Sequence, residues 1–335
     1  MKVTEWHEVT AERFTQEILP AGQPALLRGL VRDWPAVQAG RASPAEAADY
    51  LRKFSTGANV KLMTGDPSID GRFFYNADLT GLNFETSAVP FVRVLGQLMQ
   101  SLQAPAPPAL YAGAIPIPEQ LPGFSRENSL PLVDSKVEAK IWLSNRVTVQ
   151  THFDLSYNVA CVVAGHRRFT LFPPEQLENM YIGPLEFTLA GPPISMVRLE
   201  APDPVRYPRF ATALAASQYA ELEPGDALFI PYMWWHHVES RDPFNVLVNY
   251  WWDDVPAWQG SPFWALMHSI LSVRNLSPER REIWRRAFEH LVFSDSNEAL
   301  AHLTEQQRGL QGRPDAEKAE KIRNFVAHML MRGGR

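Results

Sequence analysis

Apolar positions recur at helical spacing in three short stretches of the first hundred residues. Thr10 can cap the first stretch, and Ser43 followed by Pro44 gives the second a cap and a first-turn proline. The proline-rich residues 104–109 predict a connector, because proline lacks an amide donor and restricts the residue before it. The spacing predicts helices over residues 11–19, 45–54 and 90–102.

From about residue 137 the helical spacing gives way to short segments with strand-like alternation, separated by Gly, Pro and Asp turns. Many short strands without a long helix between them favour an antiparallel sandwich or barrel. Pro224-Gly225-Asp226 fits a tight turn between two of these strands. The predicted strand segments are 137–144, 146–154, 157–165, 167–174, 195–200, 219–231 (divided by that turn), 236–240 and 245–253.

After residue 260 the helical spacing returns. Ser277-Pro278-Glu279 opens one helix, and a last helix runs from about residue 315. Each helix carries one apolar face, which either packs within the same chain or forms a subunit interface. The pattern leaves both open. The two faces comprise Ile283, Trp284, Ala287, Phe288, Leu291 and Val292, and then Ile322, Phe325, Val326, Met329 and Leu330.

The composition is that of a globular protein with a sizeable core. The 335 residues are 45% hydrophobic and 21% charged, with a net charge of −5 that gives no support for nucleic-acid binding. We expect neither a secretory leader nor a membrane span, since no run approaches the roughly 18 apolar residues that a span requires. A single cysteine, Cys161, excludes an internal disulfide and a cysteine-cluster metal site. We therefore expect a cytoplasmic protein.

The chemistry of the sequence starts with a histidine and an aspartate two residues apart. His152 and Asp154 lie in a predicted strand, where side chains two apart point to the same side. Non-haem iron oxygenases bind Fe(II) with two histidines and one carboxylate on one face of the metal. A second histidine has to come from a later strand. The alternative is that the histidines are surface residues or hydrogen-bonded core residues.

The second histidine is found in the pair His236-His237, about eighty residues further on. His236 shares its face with Val238, whereas His237 shares its face with Glu239. An inward face should carry valine and not glutamate. His236 is therefore the predicted ligand, and His237 is expected beside the site or in solvent.

An arginine in the strand segment 167–174 supplies a second argument. Arg167 has the parity of Phe169 and Leu171 and is predicted to point inward, whereas Arg168 has the opposite parity. A cation inside a barrel is costly unless an anion compensates it. A dicarboxylate cosubstrate would do so, since guanidinium suits a carboxylate in two-pronged geometry. The alternative is an ion pair with a buried acid of the protein.

The last predicted strand adds two polar groups to the same cavity. Asn249 and Trp251 share a face with Leu247, which places an amide and an indole there. Four of the 10 tryptophans lie within residues 234–252. Such aromatic walls exclude water from a site, or serve packing alone.

These stretches together resemble the JmjC and cupin-like family of Fe(II)- and 2-oxoglutarate-dependent oxygenases. The most similar branch contains the asparaginyl hydroxylase factor inhibiting HIF. The resemblance covers roughly residues 15–255, and its WWHHVES and RRFTLFPP motifs are specific. The matching segments are LPAGQPALLRGLVRDWP, then HFDLSYNVACVVAGHRRFTLFPPEQ, LEPGDALFIPYMWWHHVES and NVLVNYWW.

The resemblance implies a mainly β fold, a double-stranded β-helix of the jelly-roll type with N-terminal α/β decoration and C-terminal helices. In such a fold His152, Asp154 and His236 would bind Fe(II). Arg167 falls where that branch has a lysine that holds 2-oxoglutarate. Val149 replaces a threonine of that branch near the cosubstrate. Further positions that match residues around 2-oxoglutarate are Tyr111, Asn158 and Asn249.

The implied activity couples decarboxylation of 2-oxoglutarate to succinate with hydroxylation of a substrate, in this branch a protein or peptide side chain. Asp154 favours hydroxylation over halogenation, because a non-coordinating residue there would leave a site for halide. Two alternatives remain. One is a non-catalytic cupin that binds metal and 2-oxoglutarate in a regulatory role, and the other is a hydroxylase of a small molecule or an RNA component.

The resemblance also implies how the chain is organised. We expect an N-terminal segment over residues 1–110, a catalytic core over 111–258 and a helical segment over 259–335. In the related hydroxylases a pair of helices after the barrel forms the dimer interface. The sequence therefore predicts a homodimer through its C-terminal helices.

Overall fold

The computed structural model divides the chain into two units, Met1–Trp252 and Asp253–Arg335. It describes residues 1–189, 191–294 and 299–332. The three-part division expected from the sequence stays a prediction.

The first unit is built on two β-sheets. The nine-stranded sheet has the order β1-β2-β11-β8-β13-β6-β5-β3-β4, and the four-stranded sheet has the order β10-β9-β12-β7. The strands are β1 Thr4–His7, β2 Ala25–Arg28, β3 Asn59–Gly65, β4 Phe84–Pro90, β5 Ala109–Pro116, β6 Ala139–Ser144, β7 Thr148–His152, β8 Tyr157–Ala164, β9 Arg167–Phe172, β10 Gln218–Leu222, β11 Ala227–Ile230, β12 Trp235–Ser240 and β13 Asn245–Trp252.

The path of the chain from β6 to β13 produces a double-stranded β-helix. Strands β6, β8, β11 and β13 belong to the larger sheet, and β7, β9, β10 and β12 to the smaller one, so the chain passes repeatedly between the two. The fold predicted from the sequence is therefore confirmed, as two facing sheets. Their inner faces meet in a shared core that includes Ala160, Leu228 and Leu247 from one sheet and Phe169, Leu171 and Val238 from the other.

The N-terminal region extends the larger sheet at both ends. Strands β2 and β1 follow β11 at one end, while β5, β3 and β4 follow β6 at the other. The sequence pattern located the helices here but not these strands. Strand β2 is too short and too uniformly buried to alternate, with only Arg28 less than fully buried. Its place is set by pairing with β11, which no local pattern shows.

Helices of the first unit form at all three segments where the spacing predicts them, and the structure adds others that the spacing did not predict, over residues 35–42, 117–120, 124–127 and 210–215. Thr10 accepts a hydrogen bond from the Arg13 amide at 3.2 Å, and Ser43 accepts one from the Glu46 amide at 3.1 Å. The first predicted helix contains a π-helical turn, Phe14–Ile18. The helices are α1 Ala11–Arg13, α2 Leu19–Ala21, α3 Pro35–Ala42, α4 Pro44–Arg52, α5 Phe91–Ser101, α6 Ile117–Gln120, α7 Phe124–Glu127 and α8 Phe210–Ala215.

One predicted strand, residues 195–200, is wrong. Only Ser195 of this segment makes an isolated bridge, with Ile182. Two carbonyls of the segment, those of Ser195 and Val197, accept hydrogen bonds from the Gln150 side chain, at 2.7 and 2.8 Å. These two carbonyls are therefore not available for a strand ladder.

Packing accounts for Cys161. The residue is fully buried in the core that lies between the larger sheet and the N-terminal helices. Burial raises the pKa of its thiol, which keeps the sulfur protonated and unreactive.

The second unit is helical, and many apolar side chains of its helices are exposed. Within the described ranges it contains α9 Pro262–Ser272, α10 Pro278–Phe288 and α11 Ala316–Met331, and none of these helices buries a side chain. Trp264 is 71% exposed and Phe325 is 62% exposed. No helix in the described part of the chain combines the length and the apolar character needed to cross a bilayer.

We predict that Asp226 anchors β2 to the turn before β11. Its carboxylate accepts hydrogen bonds from the Arg28 guanidinium at 2.7 Å and from the amides of Gly29 and Glu223 at 2.9 and 3.2 Å. Asp226→Ala should lower the free energy of unfolding by about 3 kcal/mol in urea titrations, because it removes a buried carboxylate that accepts three hydrogen bonds.

The matched control for Asp226→Ala is Glu5→Gln. Glu5 pairs with the same guanidinium at 2.7 Å but is 40% exposed. Its loss should cost less than about 1 kcal/mol. Equal effects of the two variants would contradict the anchor.

Candidate functional site

Two histidines and an aspartate meet where β7 and β12 pair. His152 and His236 are direct partners across the antiparallel pair, and their ring centroids lie 4.2 Å apart. Asp154 follows the end of β7, with its Oδ2 atom 3.5 Å from Nε2 of His236. One ligand atom from each residue lies within 4.8 Å of the others. The structure thus brings together the three residues that the spacing singled out.

The Nδ1 atom of each of these two histidines contacts a backbone carbonyl. Nδ1 of His152 lies 2.8 Å from the Gln150 carbonyl, and Nδ1 of His236 lies 3.0 Å from the Trp234 carbonyl. In a neutral ring these contacts place the proton on Nδ1 and leave the lone pair of Nε2 for a metal. Burial, followed by the neighbouring His236, lowers the pKa of His152 to about 4, so this ring is neutral.

The aspartate is buried without a hydrogen-bond donor. Oδ2 of Asp154 lies within ion-pair distance of His236 but makes no hydrogen bond with any residue that the structure describes. Buried carboxylate oxygens are normally paired or bound to a metal. Two imidazoles with Nδ1 held by carbonyls and one orphaned carboxylate oxygen fit a divalent cation with three protein ligands and further positions open.

A strained turn sets the position of the aspartate relative to β12. Met233 has a φ of 60°, in the left-handed region that non-glycine residues rarely adopt. Its amide donates to the Asp154 carbonyl at 3.1 Å. This hydrogen bond joins the loop after β7 to the turn before β12 and stabilises the strained φ of Met233. It therefore fixes the position of Asp154 relative to His236 on β12.

The three residues line a cavity of about 460 Å³ between the sheets. The five other residues predicted near the cosubstrate line the same cavity, so the structure gathers all eight. Their roles stay a prediction. These five are Tyr111, Asn158, Arg167, Asn249 and Trp251.

Arg167 points into the cavity, as its parity predicts, and is only 3% exposed. Its Nε and Nη2 atoms have no hydrogen-bond partner, and no acid lies within 4.0 Å, in residues 1–189, 191–294 and 299–332. Burial lowers the pKa of the guanidinium to about 10, which still leaves it charged near neutral pH. The alternative, an ion pair with a buried acid, is not found there. Arg168 points the other way, 3.8 Å from Glu239.

An amide network forms the wall beside Arg167. Asn249 donates to the Asn158 side chain at 3.2 Å and accepts from the Trp142 indole at 2.7 Å. The indole nitrogen of Trp251 is buried without a partner among the described residues. Sequence reasoning missed Trp142, because it alternates with the buried Ile141 and Leu143 on β6 and parity therefore does not assign it to the cavity face.

His237 lies on the opposite face of β12 from His236. It is 1% exposed, with Nδ1 at 3.1 Å from the Thr151 hydroxyl and Nε2 at 3.2 Å from Glu200. The hydrogen bond to His237 is the main cause that lowers the pKa of Glu200 to about 2, against the effect of burial. Of the two places expected for His237, beside the site and in solvent, the structure has the first. On the outer face it joins β12 to β7 through the Thr151 hydroxyl.

The position of the missing threonine is filled by an apolar side chain. Val149 lines the cavity, whereas Thr148 is not among the lining residues and bonds through its amide to Gly71. No hydroxyl from this part of β7 reaches the site. Sequence reasoning also missed Lys61, Phe73 and Phe84, which line the mouth from elements outside the barrel and carry no local signal of that location.

Comparison with known proteins agrees with this geometry. A lysine-specific demethylase of Arabidopsis thaliana is 35% identical over 134 residues, which is 40% of this chain and 23% of the relative. A Jumonji C domain-containing protein 5 of Drosophila melanogaster is 27% identical over 72% of this chain and 57% of the relative. A tRNA wybutosine-synthesizing protein 5 of Gallus gallus is 26% identical over 74% of this chain and 76% of the relative.

The relatives differ in length and in their names. The chain spans less than a quarter of the plant relative and little over half of the fly relative. The family model for the cupin-like domain Cupin_8, in contrast, matches residues 11–257 continuously. That match includes every strand of the two sheets except β1 and every residue of the candidate site. The chain therefore belongs to the JmjC-related, cupin-like family.

Proposed function

We propose that the protein is an Fe(II)- and 2-oxoglutarate-dependent dioxygenase that hydroxylates a protein or peptide side chain. The observation that carries the proposal is Arg167, a buried cation without a protein counter-ion, in the same cavity as His152, Asp154 and His236. A metal site and an unmatched guanidinium in one enclosed space suit a chelating dicarboxylate.

The metal ligands would be His152, Asp154 and His236. Fe(II) bound there would supply the activation of dioxygen and the oxidative decarboxylation of 2-oxoglutarate. The protein orients the ligands through the carbonyls of Gln150 and Trp234. The Phe73 and Trp142 walls keep bulk water out of the cavity.

The cosubstrate would be held by the opposite side of the cavity. Arg167 would bind the distal carboxylate in a bidentate manner, and the Tyr111 hydroxyl would donate to the same group. Burial raises the pKa of Tyr111, so its phenol stays protonated and able to donate. Asn158, Asn249 and the unpartnered Trp251 indole supply further hydrogen bonds beside it.

The choice of a protein substrate is supported by the name of the Arabidopsis relative, a lysine-specific demethylase. The Gallus relative, named for tRNA wybutosine synthesis, keeps an RNA component as the second candidate. The net charge of −5 favours the protein. A non-catalytic cupin remains the alternative if the site binds 2-oxoglutarate without turnover.

We expect succinate to form when the protein is supplied with Fe(II), ascorbate and 2-oxoglutarate. His152→Ala should abolish both succinate formation and stoichiometric metal binding, because it removes one of three ligands. His166→Ala is the control, since His166 is 61% exposed and pairs with Asp242 far from the cavity lining. Binding of 2-oxoglutarate without succinate, even with candidate substrates present, would favour the non-catalytic alternative.

Arg167 should determine the affinity for 2-oxoglutarate. Arg167→Met should weaken its binding to the Mn(II)-loaded protein by about 100-fold in calorimetry, because a buried charge pair loses one partner. Arg167→Lys should stay within about tenfold of the original, since the charge is kept. The matched control is Arg168→Met on the outer face of β9, and an equal loss there would refute the assignment.

We also propose that the C-terminal helices form a homodimer. The apolar side chains of α10 and of the π-helical segment Glu289–Phe293 are exposed. Ile283 is 66%, Trp284 50% and Phe293 72% exposed. An apolar patch of this kind on a soluble monomer is unusual.

Light scattering at micromolar concentration should give the mass of a dimer, and Trp284→Glu should convert it to a monomer by placing a charge in the buried interface. Val205→Glu is the control, because Val205 is 90% exposed on the first unit. A monomer mass for the unchanged protein would contradict the interface.

A further inference from the structure

The larger sheet continues past the barrel as a small platform. In β3, Asn59, Lys61 and Met63 share one face, and the antiparallel pairing places Ala88 opposite Lys61 and Thr86 opposite Met63. Met63 and Phe84 pack into a small cluster with Phe73 at the cavity mouth. The residues beyond that cluster, which we call the β3–β4 platform, are Asn59, Lys61, Thr86 and Ala88, and all four are exposed.

The platform runs directly into the cavity. Lys61 and Met63 line the cavity together with Phe84, so one continuous surface leads from the open sheet to the metal ligands. Leu189, Pro192 and Ile194 line the same cavity. This entrance is apolar, with aromatic rings of Phe73 and Phe84 5.1 Å apart. A side chain that enters here has to pass between hydrocarbon walls.

Lys61 is the charged group of this entrance. The ionisable lining residues of the cavity are Lys61, Arg167, Asp154, Tyr111 and the two ligand histidines. Lys61 makes no hydrogen bond or ion pair within the described part of the chain, whereas exposed lysines elsewhere do, as Lys321 does with Glu317 at 2.6 Å. No carboxylate shares the platform face with it.

The charges inside the cavity are matched without Lys61, on the proposed function. The two positive charges of a divalent metal and the two negative charges of 2-oxoglutarate would sum to zero, and so would the single charges of Asp154 and Arg167. The charge of Lys61 is therefore available to pair with a negatively charged group of an incoming substrate. In a partly desolvated entrance such a charge selects partners of opposite sign.

Strand β4 also offers backbone groups to an incoming chain. It lies at the end of the sheet and pairs with β3 alone among the described strands. An edge strand presents unpaired amides and carbonyls on its outer side, and extended peptides bind such edges. The edge strand β4 is thus the neighbour of the strand that carries Lys61, and Phe84 of β4 lines the cavity together with Lys61.

We propose, resting on the dioxygenase function above, that the substrate is an extended acidic peptide that lies along the β3–β4 platform. Its apolar or amide side chain enters the cavity past Phe84, and an Asp or Glu about two residues away pairs with Lys61. The net charge of the protein, −5, disfavours a polyanion such as RNA, so the recognised anion is a single carboxylate beside an apolar side chain.

The test uses the full chain loaded with Mn(II) and 2-oxoglutarate without oxygen. Three fluorescein-labelled peptide pools share a central mixture of Leu, Val, Met and Asn and differ only at the second residue on either side, which is Asp/Glu, Asn/Gln or Lys/Arg. Anisotropy should show the acidic pool binding about fivefold tighter than the neutral pool, as expected for one partly exposed ion pair.

Lys61→Ala should remove the acidic preference, and Lys61→Glu should transfer it to the basic pool. The matched control is Lys136→Ala, an exposed lysine that does not line the cavity and should keep the preference. Thermal unfolding of each variant checks that Lys61 acts on binding and not on folding. A preference that survives Lys61→Ala, or equal binding of the three pools by the unchanged protein, overturns the inference.

Two further arms separate this inference from the function on which it rests. Succinate formation by the unchanged protein with Fe(II) and oxygen tests the dioxygenase alone. Succinate without any peptide preference would overturn only the docking inference, and a Lys61-dependent preference without succinate would overturn only the dioxygenase. An oligoribonucleotide that binds through Lys61, while no peptide pool does, would overturn the peptide in favour of RNA.

Discussion

The structure depends on how it keeps charged groups between two β-sheets. Asp154 and Arg167 lie in an interior where an isolated charge costs several kcal/mol, about as much as the whole stability of many domains. Neither finds a counter-ion at hydrogen-bonding distance in the residues that the structure describes. The compensating charges therefore come from groups bound in the cavity, and Asp154 and Arg167 belong to one site.

Backbone groups provide most of the interactions that support the metal ligands. The carbonyls of Gln150 and Trp234 orient the imidazoles, and the amide of the strained Met233 holds the loop of Asp154. Behind them His237 and Glu200 close the pair of strands from the outer face. The ligand geometry is thus set by two strands and one turn, before any metal arrives, and little reorganisation is needed on binding.

Much of the site could be predicted because strand parity is a strong constraint. A period of two assigned His236 over His237 and Arg167 over Arg168, and both assignments agree with the orientations in the structure. Parity within one strand cannot show which strands become neighbours. Lys61 and Phe84 reach the cavity through pairings between β3, β4 and β5, and residues 195–200 lose their strand because Gln150 binds their carbonyls. Both outcomes depend on contacts distant in sequence.

The sheet extension divides the chain into parts with separate tasks. Tyr111 and residues from strand β6 onward hold the groups that suit metal and cosubstrate, while Lys61, Met63, Phe73 and Phe84 line the entrance. Substitutions in the second set can reshape what enters without disturbing the first. In a scaffold of this kind, substitutions at the entrance can change which substrates are accepted while metal and cosubstrate binding stay the same. Protein engineers can therefore redesign the entrance separately from the metal site.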